Sequence, residues 1–104
     1  MLDIDKNTLE EWVASHATES EMLEFKAILP ERDGKQEFLK DVSAMANSNG
    51  GVIVYGISEK AGQAENIFAI KTENSDHAIR RLEQCMESGI EPRLTGVKFK
   101  EISV

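Results

Sequence analysis

Apolar residues recur at two different periods along this chain of 104 residues. Leu9, Trp12 and Val13 follow Asn7 at helical spacing, and Glu10 stands three residues after Asn7 as in a capping box. This predicts a short helix that fades near His16. From Met22 to Ile28 the period changes to two. Leu23 and Phe25 then point to a core, while Met22, Glu24 and Lys26 share the opposite face of a strand. Helical spacing returns over Lys35–Ser48, where Phe38, Leu39, Val42, Met45 and Ala46 form a broad apolar stripe. Asn49, Gly50 and Gly51 tolerate positive φ and end it. Val52–Ile57 is a continuous, β-branched run, which predicts a central strand covered on both faces. Ser58–Asn66 predicts a hairpin loop longer than a tight turn, and Ile67–Ile70 an antiparallel return strand. Ser75 is placed to cap a third helix, with Asp76 in its first turn, Ala78, Ile79, Leu82, Cys85 and Met86 on its apolar side and Gly89 as its stop. Ile90–Pro92 is expected to be extended, because a residue before proline avoids the α region. Val97–Val104 predicts a final strand. The sum is a single α+β domain, a mainly antiparallel sheet of about four strands with two to three helices packed on it.

Composition narrows the class. Apolar residues make up 40% and charged residues 30% of the chain, the balance of a globular domain. No apolar run approaches the roughly 18 residues of a membrane span. The acidic start, Met1 to Asp5, lacks the basic and apolar regions of a signal peptide. Cys85 is the only cysteine, so no internal disulfide forms, and a reducing cytoplasm is the expected location. The net charge is −7. Residues 1–34 carry three basic and nine acidic side chains, whereas residues 71–104 carry six of each. Long-range attraction of a polyanion is therefore weak, and any contact with phosphate must be local.

Few residues carry recognisable chemistry. Gly51 and Gly56 have the spacing of a phosphate-binding loop, but Ile57 stands where that loop needs lysine, so no ATP is expected. Packing within a sheet explains these glycines better. His16, His77 and Cys85 show no metal-ligand spacing. Glu19, Glu21 and Glu24 gather near the first strand, with Lys26 two positions beyond Glu24. Oxygen ligands of this kind hold magnesium or manganese in hydrolytic nucleases, and an adjacent lysine neutralises phosphoryl charge. The same residues also suit the solvated strand face of an acidic protein. Lys71, Arg80, Arg81, Arg93, Lys98 and Lys100 supply the basic groups of the second half, and Lys98 and Lys100 alternate onto one side of the last predicted strand. Such a stripe can track phosphates or be merely solvated. Phe25 is expected in the core; Tyr55 is open to a stacking role.

Glu19, Glu24, Phe25 and Lys26, then the helix ending Val42 to Gly51 and the strand Val52–Ile57, together resemble the AlbA-type domain of the Schlafen family, once labelled a divergent ATPase module and widespread in bacteria. The resemblance runs from about Leu9 to about Val97 and is most specific from Ala44 to Ile57. It implies nucleic-acid binding, RNA or DNA, in regulators or defence proteins. It also implies a metal-dependent endoribonuclease site of three carboxylates in some members. Two of these match Glu19 and Glu24, at the same five-residue separation. The third falls just after the central strand, where the family often has paired aspartates and this chain has Ser58 and Glu59. The expectation is thus a nucleic-acid-binding domain with Glu19, Glu24 and Glu59 as ligands of Mg2+ or Mn2+ and Lys26 as the phosphate-facing cation. Lys26, Arg93, Lys98 and Lys100 are the expected contacts to nucleic acid. The alternatives are a DNA-binding module of a transcriptional regulator that does not cleave, and an oligomerisation domain, a homodimer, joined through the open last strand. That open strand, with the family's usual continuation, also implies a further C-terminal segment or domain.

Overall fold

A computed structural model describes residues 4–71, 73–89 and 96–103. The elements, in chain order, are α1 (Lys6–Ala14), β1 (Leu23–Lys26), a 3-10 turn (Arg32–Gly34), α2 (Lys35–Asn47), β2 (Val52–Tyr55), β3 (Ile57–Lys60), β4 (Gln63–Ile67) and α3 (Ser75–Gly89). The α+β class holds. The chain forms two compact units. One comprises residues 1–29, 51–70 and 102–104, the other residues 30–50 and 71–101.

The first unit contains α1 and all four strands. Asp5, not Asn7, caps α1: its carboxylate accepts from the Thr8 N–H at 2.9 Å, and the Thr8 hydroxyl accepts the Asp5 N–H at 3.3 Å. The box is therefore offset by two residues from the one expected. Leu9 is buried, and Trp12 meets the Phe25 ring edge-on at 6.0 Å between centroids. Leu9, Phe25, Ile57 and Ala64 form the core, flanked by Trp12, Val13, Leu23, Val54, Ile67 and Ile102.

Among the described residues the four strands make two separate pairs, not one mainly antiparallel sheet. β1 and β2 are parallel, with Leu23 opposite Val52, Glu24 opposite Ile53, Phe25 opposite Val54 and Lys26 opposite Tyr55. β3 and β4 are antiparallel. The run Val52–Ile57 is not one strand, because Gly56 breaks it with φ of +110°. A Cβ on Gly56 would stand 2.8 Å from the Phe68 carbonyl oxygen. The hairpin is tighter than expected. Ser58, Glu59 and Lys60 belong to β3, and only Ala61 and Gly62 turn, both at positive φ. That is the backbone of a type I′ turn. The return strand accordingly starts at Gln63 instead of Ile67. A register shift between Ser58 and Glu59 leaves Glu65 as the extra residue of a bulge.

The second unit contains α2 and α3. Phe38 and Leu39 of α2 and Ala78 and Leu82 of α3 are buried, as their spacing predicted. The chain leaves α2 through Gly50, whose N–H donates to the Met45 carbonyl at 3.0 Å with φ of +83°. Asn74, one residue before the expected cap, closes the start of α3: its side-chain oxygen accepts from the Asp76 N–H at 2.9 Å. The Ser75 hydroxyl instead donates to the Glu101 carboxylate at 2.7 Å. Residues 97–103 form no strand. The expected final strand is thus absent over the described residues, and Ile90–Pro92 lies outside them.

Candidate nucleic-acid interface

The parallel register sorts side chains by face. Directly opposed residues of a parallel pair point the same way, and neighbours along a strand alternate. Leu23, Phe25 and Val54 therefore face the core together, and all three pack there. Glu24, Lys26, Ile53 and Tyr55 share the other face. Glu24 and Lys26 pair along the strand, with Nζ 3.3 Å from Oε1, and their side chains keep 27% and 31% exposure. The alternation that buries Phe25 thus brings out a carboxylate, an ammonium and an aromatic phenol side by side.

Glu19 lies elsewhere. Met22 and Lys26 carbonyls accept from Val52 and Gly56 across the ladder, at 2.8 and 2.7 Å. Alternation then turns the Phe25 N–H to the outer edge of β1. Glu19 Oε2 accepts that N–H at 2.8 Å. Ser20 exchanges two backbone bonds with Leu23 at the same edge, so residues 19 and 20 fold back over the strand they precede. The Glu19 N–H donates to the Gly62 carbonyl at 2.7 Å. Gly62 also donates its own N–H to Glu59 Oε2, at 2.7 Å. Glu59 is therefore committed to the turn of its own hairpin. The Ser58 hydroxyl sits in the ladder and accepts from the Asn66 N–H at 3.1 Å.

The arrangement brings Glu24 and Lys26 together, and it links Glu19 to Glu59 only through the Gly62 backbone. It does not gather Glu19, Glu24 and Glu59 as a ligand set. Among the described residues no group of three or more His, Cys, Asp or Glu side chains is placed to hold a metal ion. Among the described residues, then, Glu19, Glu24 and Glu59 are not brought together as the three-carboxylate set that the resemblance implies for Mg2+ or Mn2+. Lys98 and Lys100 are both exposed, in the second unit, and Arg93 lies outside the described residues. Cys85 is half-buried and free.

Two groups escaped the sequence reading. His16, at φ of +51° beyond the end of α1, places Nδ1 3.0 Å from the Ala64 carbonyl and ties that helix end to β4. Glu73 receives both Arg81 and His77, with His77 Nδ1 at 2.8 Å from Oε2. The Arg81 guanidinium holds the Glu73 carboxyl below its usual range, and His77 adds to the effect against partial desolvation. The four-residue spacing of Glu73 and His77 is a signal that could have found part of this cluster. No signal in the sequence marks the His16 contact.

A family model described as Schlafen, AlbA_2 matches residues 19–104. Comparison with curated proteins and with solved structures found no match to the chain. Among the described residues no helix is long and apolar enough to cross a membrane.

Proposed function

Because the chain belongs to the Schlafen AlbA_2 family, we propose that it binds nucleic acid through phosphate contacts, with Lys26, Lys98 and Lys100 as cations, and that binding and not cleavage is its activity. The observation that carries this reading is the pairing of Glu24 with Lys26 on the face of β1 that also bears Tyr55. An ammonium on a partly exposed strand face can meet a phosphate from the solvent side, and an aromatic beside it can stack an unpaired base. Glu24 works against the contact. At 3.3 Å it neutralises Lys26 and repels an approaching phosphate. With a chain charge of −7, the affinity rests on few local contacts.

Two readings of Glu24 then differ in sign. If it is a metal ligand for cleavage, Glu24→Gln abolishes activity. If it shields Lys26, Glu24→Gln strengthens binding. The test is fluorescence anisotropy with a labelled transfer RNA, single-stranded RNA and single- and double-stranded DNA, in EDTA. Glu24→Gln is expected to tighten binding severalfold, and Lys26→Ala and a Lys98→Ala/Lys100→Ala double variant to weaken it. Two or three phosphate contacts also predict a fall of about 10- to 40-fold in affinity for duplex between 50 and 200 mM salt. Absence of binding to every probe at low salt, or weaker binding by Glu24→Gln, would overturn the proposal.

A further inference from the structure

Two of the three carboxylates that the family resemblance assigns to a metal site have backbone partners here. Glu19 accepts the outward N–H of Phe25, and Glu59 accepts the N–H of Gly62. Gly62 in turn accepts the N–H of Glu19. The three bonds measure 2.8, 2.7 and 2.7 Å and form one continuous connection from the edge of β1, through residue 19, to the tip of the β3–β4 hairpin. Thr18 bridges Gln63 and Ala64 donates to the Ala17 carbonyl at 2.8 Å, so the same segment is stitched to the start of β4.

We infer that Glu19 and Glu59 act as a pair of backbone clamps centred on Gly62, which hold the outer edge of β1 against the hairpin and take the place of a metal ion in fixing this part of the fold. An unpaired strand edge is a template for pairing with another chain. A carboxylate is a good cover for it, since a charge-assisted bond to an N–H is roughly twice as strong as a neutral one. Glutamate reaches from residue 19 to residue 25 because the chain turns tightly at Ser20–Leu23. At residue 59 it spans the two turn residues Ala61 and Gly62. Each bond engages the Oε2 oxygen of its carboxylate, and neither needs Glu24.

The inference shares its setting with the proposed function but stands apart from it, because it concerns stability and metal response and not affinity for nucleic acid. The experiment uses the whole chain and four proteins: wild type, Glu19→Ala, Glu19→Gln and Glu59→Ala. Thermal unfolding is followed in EDTA and in millimolar Mn2+, and amide hydrogen exchange is read at Phe25 and Gly62. The expected result is the same midpoint for wild type in EDTA and in Mn2+. Glu19→Ala should lower the midpoint by several degrees in both conditions and speed exchange at Phe25, and Glu59→Ala should speed it at Gly62. Glu19→Gln keeps a neutral acceptor and should recover about half of the loss. A rise in the wild-type midpoint with Mn2+ that both Glu19 variants abolish would overturn the inference. So would unchanged exchange at Phe25 in Glu19→Ala, or Mn2+-dependent RNA cleavage that Glu19→Gln removes. If Glu19→Ala does not fold, Glu19→Gln and Glu59→Ala decide the question by the same exchange measurements. Failure to bind any nucleic acid in EDTA would sink the proposed function and leave these readings intact.

Discussion

Gly51→Ala tests the parallel strand pair directly. A Cβ built on Gly51 falls 2.8 Å from the Met22 carbonyl oxygen, 2.9 Å from its Cα and 3.0 Å from its carbonyl carbon. All three are backbone atoms just ahead of β1, so no side chain can rotate away. The same Met22 carbonyl accepts the Val52 N–H at 2.8 Å, the first bond of the ladder. Relief therefore requires the strands to separate where their register begins. The φ of +156° at Gly51 is one that L side chains rarely adopt, so backbone strain adds to the clash, and the Gly50 control separates the two. Overpacking of this kind costs about 1–3 kcal/mol, and a rigid backbone obstacle belongs at the upper end. A loss of about 2–3 kcal/mol lowers the midpoint of a domain this size by about 10–20 °C. Gly50→Ala is the control. Its φ is +83° but a Cβ there meets nothing within 4 Å, so only the backbone cost of about 1 kcal/mol remains. Urea unfolding of both variants beside wild type, at unchanged m, measures the difference. Equal destabilisation by the two substitutions would refute the close approach of Gly51 to Met22, and with it the β1–β2 register.

Two further outcomes follow from local geometry. Ala61 holds φ of +54° in the two-residue turn, a conformation asparagine tolerates better than alanine; Ala61→Asn should therefore stabilise by about 0.5–1 kcal/mol, read as a higher urea midpoint. Glu73 has its carboxyl lowered by Arg81, so it binds a proton less readily folded than unfolded. Its contribution is then present above the unfolded carboxyl range and is lost as pH falls through the lower, folded value. The stability gap between wild type and Glu73→Gln should be open at neutral pH and close on acidification, and a gap that widens toward low pH would contradict the ion pair.

The sequence disclosed the helices better than the sheet, for physical reasons. A stripe such as Phe38, Leu39, Val42 and Met45 is set by one helix's own geometry, so α2 begins at Lys35 as expected and stops one residue short of Ser48. Caps are harder to read, because Asp5 with Thr8 and Asn7 with Glu10 stand at the same spacing, and the structure uses the first pair. Strand pairing depends on distant partners. Nothing in Leu23–Lys26 or Val52–Tyr55 declares that they run parallel. The hairpin turn was hidden because Ala61–Gly62 lacks the asparagine that usually announces it. The exposure of Glu24 and Lys26 was legible, since alternation with Phe25 requires it. The partners of Glu19 and Glu59 were not, because a five-residue separation specifies no acceptor geometry, and both carboxylates found backbone N–H groups that the fold alone creates.

The two compact units interleave along the chain, one drawing on three stretches and the other on two. No single cut releases either intact. Removing residues 102–104 takes Ile102 from the packing around Leu9 and Phe25, and excising residues 30–50 severs β1 from the strand it pairs with. Each unit's segments are joined through those of the other, so neither can be excised or transplanted as one continuous piece.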